Sequence, residues 1–226
     1  MTTPQGAPAT ATALQLLLTA ERLFAENGLA GVSLRQIATE AGSSNNSAVA
    51  YHFGSKERLV EAIFGYRLPQ LLQRRELLKA RVHPGDLRGR LEAHLLPVLE
   101  LAESHEGSYL SFLEQLERSS ARLLLSPQAA QQSQADFVAE VQALLPDVEE
   151  PVRTMRIQQV QVLTLHAAAE RERAVRNGED VVAFGLFVST LIDACTGYLT
   201  APVSEETRRF LAYPDRGTLP PAVRLV

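Results

Sequence analysis

An all-α fold is what this 226-residue sequence predicts. Apolar residues recur at helical spacing from Leu14, with Leu17 and Phe24 on the same face of the expected helix. Serine caps and glycine stops bound several such segments, as they do at helix ends. The sequence has no runs of alternating β-branched residues between hairpin turns, which is the pattern of strands. We therefore expect helices throughout, in one or two packed units.

Charge is distributed unevenly along the chain. The net charge is −4 at pH 7, but residues 1–82 hold nine Lys/Arg against six Asp/Glu, while residues 83–226 hold thirteen against twenty. Only the N-terminal third is therefore suited electrostatically to a polyanion such as nucleic acid. The excess of three positive charges is mild, so it permits such a partner without requiring one.

Catalysis has little support in the sequence. It contains no glycine-rich phosphate loop, and its five histidines show neither His-x-x-x-His nor Glu-x-x-His metal spacing. The lone Cys195 excludes an internal disulfide and a multi-cysteine zinc site, and it lies in an apolar segment without a nearby base. We predict a protein that is not an enzyme and needs no metal or cofactor. No export signal precedes the first helix, so we expect the cytoplasm.

The first helices can be bounded residue by residue. Residues 1–12 are small and polar and are expected to form a flexible tail. The first helix is predicted over residues 13–27, because a glycine follows it and ends it. Ser33 and Gln36 form a capping box that starts a second, short helix, which ends before Gly42.

A polar turn of serine and asparagine, residues 43–46, leads into a third short helix that ends near Phe53. One of the turn side chains is expected to cap this helix. Val49 and Phe53 lie four residues apart and should face the core, which leaves small and hydrogen-bonding side chains on the opposite face. That exposed face comprises Ser47, Ala50 and Tyr51. A helix of this kind suits the major groove of DNA.

The remaining helices are longer. The predicted segments are Ser55 to about Arg81, with an irregularity at Pro69; Asp86 to about Glu103, with Pro97 inside; Tyr109 to Leu125; Ala135 to Leu145; a helix starting at Pro151 and ending before Asn177-Gly178; and Asp180 to Ala201. Residues 126–134 are either a helix start or a loose connection.

Two segments resemble the DNA-binding domain of the TetR/AcrR family of transcriptional regulators. They are AERLFAENGLAGVSLRQIATEAG, residues 20–42, and AVAYHFGSKERL, residues 48–59. The resemblance covers residues 13–65. It implies a helix-turn-helix DNA-binding domain over residues 13–58, followed by a larger helical ligand-binding and dimerisation domain over residues 59–226. It also implies a repressor that a small molecule releases from a palindromic DNA operator.

The resemblance assigns DNA contacts to particular residues. Ser33 and Lys56 match positions that touch phosphates in the family. The other expected contacts are Arg35, Ser44, Asn45, Asn46, Ser47, Ala50, Tyr51 and His52. We expect Tyr51 and Lys56 to contribute most. Each residue also has an ordinary structural interpretation, namely helix cap, solvated cation or packed aromatic ring.

The sequence departs from the usual family pattern at two places. The turn is one residue longer than usual, and Ala50 stands where many relatives have a phosphate-binding tyrosine. These departures favour an alternative function, a helical dimeric interaction module whose DNA binding is weakened or lost.

A dimer surface is expected because one recognition helix contacts few base pairs. The resemblance implies that the last two long helices, Val152–Arg176 and Val181–Leu199, pair with their copies in a four-helix bundle. The second of these approaches the length of a membrane span, but polar residues interrupt it, so we favour a buried interface helix. Asp193 within it must then find a partner, and we expect a hydrogen bond at the interface.

Effector binding is predicted least directly. Pro97 would open the backbone of an apolar helix, and five residues are candidates to line a cavity for a small apolar effector. They are His94, Tyr109, Phe112, Gln159 and His166. Each of them is equally compatible with ordinary core packing.

Overall fold

The computed structural model describes residues 10–104, 107–118 and 127–212, and within these residues the fold is helical with no strand. The helices are α1 (Ala11–Asn27), α2 (Leu34–Glu40), α3 (Ala48–Phe53), α4 (Lys56–Lys79), α5 (Leu87–Leu99), α6 (Tyr109–Arg118), α7 (Gln128–Ala143), α8 (Val152–Arg176), α9 (Phe184–Thr200) and α10 (Glu205–Ala212). A 3₁₀ turn, Glu100–Glu103, continues α5. The all-α fold expected from the sequence is confirmed.

The helix starts follow local capping chemistry. Ser33 Oγ accepts a hydrogen bond from the Gln36 amide at 3.1 Å, and Ser55 Oγ accepts one from the Arg58 amide at 3.3 Å. An Asp86 carboxylate oxygen caps α5 by accepting from the Gly89 amide at 2.8 Å. Each bond satisfies an amide that has no partner inside its own helix. The predicted starts of α2, α4 and α5 are therefore confirmed.

Several predicted bounds differ from the structure. Of the two alternatives for residues 126–134, the helix start is confirmed, since α7 begins at Gln128, seven residues before Ala135. α9 begins at Phe184 instead of Asp180. α10 was not predicted; it is only eight residues long and buries no residue. Residues 1–9 of the predicted tail and residues 119–125 of the predicted sixth helix lie outside the described residues.

One hydrophobic cluster joins the N-terminal helices to the rest of the chain. Phe24 of α1 and Phe64 of α4 pack against Phe112 of α6, with ring centroids 6.2 and 6.0 Å apart. α4 also runs without a break across the predicted boundary between residues 58 and 59. The division into two domains therefore stays a prediction about function, since packing is continuous across it.

α8 and α9 pack on each other and leave apolar side chains on their outer faces. Ile192 and Cys195 of α9 are fully buried, whereas Met155 and Val162 of α8 are 52% and 56% exposed. Asp193 was expected to make a hydrogen bond at the dimer interface, and this stays a prediction about the dimer. Its side chain is 63% exposed and accepts a hydrogen bond from Arg88 Nε of α5 at 3.1 Å.

Among the described residues, no helix is by itself both long enough and apolar enough to cross a membrane. α9 and α10 reach the required length and composition only when they are taken together, and the chain bends by 53° between them.

Candidate nucleic-acid interface

α2 and α3 are anchored by a few buried apolar side chains. Ile37 and Ala38 of α2 and Val49 of α3 are completely buried, and Ala48 is nearly so. Phe53, at the end of α3, is half-buried and packs against the same core. The predicted inward face of α3 is thus confirmed, and the helix is fixed on one side only.

The turn between α2 and α3 is held by its own side chains. Gly42 adopts φ +73°, a conformation that side-chain-bearing residues rarely take. Ser43 Oγ accepts from the Asn45 amide at 3.2 Å, and Asn45 Oδ1 accepts from the Ser47 amide at 2.9 Å. Ser47 is the N-cap of α3 but makes no side-chain capping bond. The expected cap on α3 is therefore wrong in detail, because Asn45 bonds the turn one residue before the helix.

The outer face of α3 is open to solvent. Tyr51 is 83% exposed, the most exposed of the large apolar side chains that the structure describes. Its ring meets that of His52 edge-on, with centroids 5.1 Å apart, and His52 is half-buried. Five further predicted contacts are also exposed, namely Ser44, Asn45, Asn46, Ser47 and Ala50. An exposed aromatic ring beside small polar residues, on an anchored helix, is able to meet base edges in a groove.

Two cations at the start of α4 have different surroundings. Lys56 is half-buried, and its Nζ donates to the Leu29 carbonyl in the α1–α2 turn at 2.8 Å. Arg58 is exposed, and its guanidinium has no hydrogen-bond or ion-pair partner within residues 10–104, 107–118 and 127–212. A Cβ built at Gly54, directly after α3, would lie 3.8 Å from Arg58 Cδ. Arg58 therefore lies beside the end of α3, and the sequence interpretation did not single it out.

Ser33 and Arg35 lie on the exposed start of α2. Since Ser33 Oγ accepts from the Gln36 amide, its own hydroxyl hydrogen remains available to an outside acceptor. Arg35 has no side-chain partner among the described residues. The first turns of α4 also carry two exposed carboxylates, Glu57 and Glu61, and hydrogen bonds from its own amide and from Ser55 lower the pKa of Glu57.

The five residues predicted to line an effector cavity do not come together. Tyr109 and Phe112 are buried in the aromatic cluster with Phe64. Gln159 and His166 are exposed on α8, where Gln159 accepts from the Tyr198 hydroxyl and His166 Nδ1 lies 2.7 Å from Glu114 Oε1. The prediction of one shared cavity is therefore corrected. Spacing along the sequence cannot tell which face of a long helix turns inward.

His94 is the exception, because it lines an open cleft of about 360 Å³ between α4, α5 and α7. Its imidazole stacks on Phe137 with ring centroids 3.7 Å apart. Burial and the nearby Arg75 guanidinium lower the pKa of His94 well below its usual value. Both influences favour the neutral imidazole, which lines a cleft whose walls carry both cations and carboxylates.

The lone cysteine lies where its thiol is unreactive. Cys195 is fully buried with its sulfur 3.8 Å from Thr164 Oγ1, and burial raises its pKa. A protonated thiol is a poor nucleophile. In the described part of the chain, no three His, Cys, Asp or Glu side chains are grouped so that they could hold a metal ion.

Residues 16–63 match the family described as bacterial regulatory proteins, tetR family. No curated protein matches the sequence. Among solved structures, GusR of Salmonella enterica is 19% identical over 85% of this chain and 99% of its own, with a TM-score of 0.45. A mutant of HlyIIR is 19% identical over 86% of this chain and 97% of its own, with a TM-score of 0.47. NalD of Pseudomonas aeruginosa is named as the secondary repressor of a multidrug efflux pump. It is 20% identical over 85% of this chain and 98% of its own, with a TM-score of 0.40.

Proposed function

We propose that the chain, whose residues 16–63 match the tetR family of bacterial regulatory proteins, is a DNA-binding repressor that occupies a palindromic operator as a homodimer. The observation that carries the proposal is the anchored α3 with Tyr51 exposed on its outer face. Regulators of this family are generally not enzymes. Here the polar side chains of α2 and α3 are aimed at solvent and the only thiol is buried, which favours binding over chemistry.

We assign base contacts to the outer face of α3 and to the turn before it. Tyr51 and Ala50 present a ring and a methyl group, and a methyl group suits the apolar C5-methyl of thymine. The amides of Asn45 and Asn46 are the candidates for hydrogen bonds to base edges or flanking phosphates, together with Ser44, Ser47 and His52. Asn45 Oδ1 is already used by the Ser47 amide, so only its NH₂ group is free to donate.

We assign phosphate contacts to the starts of α2 and α4. Ser33 offers a hydroxyl hydrogen, and Arg35 and Arg58 offer unpaired guanidinium groups. Lys56 retains two ammonium hydrogens beyond the one that bonds Leu29, but the bond also restrains where they point. Such contacts fix the position of the protein on DNA without reading sequence.

The dimer is assigned to α8 and α9. Their outer faces carry large apolar side chains that the single chain leaves exposed, namely Met155, Val162, Leu163, Leu186 and Tyr198. Exposed apolar patches of this kind mark association surfaces. In a two-fold dimer the same patch meets its own copy, which gives two recognition helices a fixed separation.

The effector is assigned to the cleft between α4, α5 and α7. Its walls include Arg75, Lys79 and Arg90, and carboxylates of which Glu140 pairs with Lys79 and Arg90. We therefore expect a ligand with several polar groups, where the sequence favoured a small apolar effector in a mostly apolar cavity with a few polar points. Such a ligand would lower operator affinity by favouring a conformation in which the recognition helices are wrongly spaced.

Band shifts with the DNA upstream of its own gene test the proposed function. The wild-type chain should bind tightly and in a salt-sensitive manner, at two protomers per palindromic site. Binding that is equally weak to every sequence, with a helical partner protein that co-purifies, would favour the alternative interaction module. Ala50 and the lengthened turn are the features that support that alternative.

A further inference from the structure

Buried carboxylates from two distant helices meet at the first turn of α6. Glu21 of α1 is 1% exposed, and its Oε1 accepts from the Ser108 amide at 3.1 Å. Glu172 of α8 is 0% exposed and accepts from the Leu110 and Ser111 amides at 2.9 and 2.8 Å. The first amides of a helix have no partner within it, and this end favours negative charge. The start of α6 is thus held from both sides.

Glu21 is also bonded within the N-terminal helices. Arg67 of α4 donates to it through both Nε, at 2.9 Å, and Nη2, at 2.7 Å. The same guanidinium lies 5.9 Å from the ring centre of Tyr109, the first residue of α6. The Glu21 carboxylate therefore links three helices. It connects α1 and α4, between which the DNA-binding helices α2 and α3 lie in the chain, to the start of α6. A two-point arginine pair of this kind also fixes the angle between the groups.

Glu172 differs because no cation pairs with it among the described residues. Its hydrogen bonds come from Leu110 and Ser111, and burial, which outweighs them, raises its pKa. A buried carboxylate without a counter-ion depends on its hydrogen-bond donors. Movement of α6 along its own axis would therefore leave Glu172 without partners, and it would pull the Ser108 amide from Glu21 in the same step.

We propose that Glu172 is a positioning residue for DNA binding: it holds the first turn of α6 from the dimerisation helix α8, and α6 in turn holds Glu21 and the orientation of α1 and α4. This rests on the proposed function, because it takes α8 as part of the dimer and α3 as the DNA reader. A two-fold protein on a palindrome requires its recognition helices at one fixed separation and tilt. A residue far from the DNA can therefore set operator affinity by fixing that tilt.

The test compares two neighbouring carboxylates of α8. Glu172→Gln keeps the size of the side chain but turns an NH₂ group toward one of the two amides. Glu170→Gln is the matched control, since Glu170 is exposed and bonds only Arg173 of its own helix among the described residues. Operator DNA and random-sequence DNA are titrated separately, at a temperature where circular dichroism shows each variant folded and sedimentation shows it dimeric.

We expect Glu172→Gln to weaken operator binding at least tenfold while random-sequence binding stays within twofold of wild type. Glu170→Gln should change neither. The pattern follows because each α3 keeps its own contacts and only their relative placement is lost. Equal loss on both DNAs would indicate a purely structural role and would overturn the proposal, as would operator binding by Glu172→Gln at the level of the control.

Hydrogen exchange on the protein alone provides the second measurement, and it decides the matter if Glu172→Gln does not fold. Glu21→Gln should speed exchange of the Leu110 and Ser111 amides, which Glu21 does not touch, at least tenfold relative to amides of α7. Unchanged exchange at these two amides would overturn the coupling. A wild-type chain with no sequence preference would contradict the proposed function itself, and the exchange result would still show whether the two carboxylates are coupled.

Discussion

Polar side chains have opposite roles at the outer face of α2 and α3 and at the first turn of α6. On the outer face they are exposed, and those of the turn bond to one another, as Asn45 Oδ1 accepts from the Ser47 amide. At α6 they are buried and bond across the fold, since Glu21 and Ser108 are 87 residues apart in sequence. Exposed groups can exchange water for a partner at little cost, whereas buried groups specify one geometry. The first region is suited to binding and the second to positioning.

The largest effect is expected where a buried ion pair is broken. Glu21→Ala would leave Arg67 and the Ser108 amide without their acceptor, so we expect a loss of about 3–5 kcal/mol in the free energy of unfolding. Arg22→Ala removes the adjacent, exposed cation that pairs with Glu26 and Glu40, and should cost less than about 1 kcal/mol. Urea titrations measure both, and similar losses would erase the distinction between buried and exposed polar groups.

Tyr51→Ala, on the exposed face, should lower operator affinity without lowering stability. Operator affinity should fall by about 1–3 kcal/mol in binding free energy, because a base contact is lost, while the unfolding midpoint should not change, because the ring is largely in water. Fluorescence anisotropy with labelled operator measures the affinity. Tyr51→Phe separates the hydroxyl from the ring. A variant that loses stability but not affinity would place Tyr51 among the structural residues.

The sequence predicted this face well because its determinants are local. The Ser33 and Ser55 caps, the apolar anchor Val49 and the exposed Tyr51 all depend on neighbours within about one helical turn. The sequence interpretation assigned the cation of α4 that contacts phosphate to Lys56 and missed Arg58. No sequence pattern shows that Lys56 Nζ donates to the carbonyl of Leu29, 27 residues earlier.

The rest depends on how helices face one another, which periodicity alone does not fix. Gln159 and His166 belong to a helix with both a buried and an exposed apolar face, so they turn outward while Tyr109 and Phe112 enter the core. Glu21 and Glu172 look in the sequence like ordinary solvated charges on helices. Only the tertiary packing of α1 and α8 against α6 buries them.

Arg58 and Lys56 allow an exposed and a half-buried cation to be compared within a single turn of α4. Arg58→Gln should reduce the slope of log affinity against log salt by about 2 for the dimer, since each phosphate contact contributes about 0.9. Lys56→Met should change the slope less, because the bond to the Leu29 carbonyl restrains the ammonium group, and should also lower the unfolding free energy by about 1 kcal/mol, because it removes that bond. Operator titrations from low to high salt measure the slopes. A larger change in slope for Lys56→Met would exchange the two roles.

The effect that is smallest at neutral pH concerns His94. Its pKa is lowered in the folded chain by burial and by Arg75, so the unfolded chain binds the proton more readily. Stability from His94 is therefore complete above about pH 6.5 and is lost as pH falls toward the lower folded pKa, at up to about 1.4 kcal/mol per pH unit. His94→Gln should flatten this part of the profile in urea titrations at several pH values. An unchanged profile would show that His94 protonates without cost.

The central claim is that α3 reads base sequence as one of a symmetric pair, and selection from a random DNA library by the full chain tests it most directly. We predict that wild-type protein enriches a two-fold symmetric motif, and that Ala50→Gln enriches a motif altered at one symmetric pair of positions. No enriched motif, or a motif that Ala50→Gln leaves unchanged along with its affinity, would contradict the account.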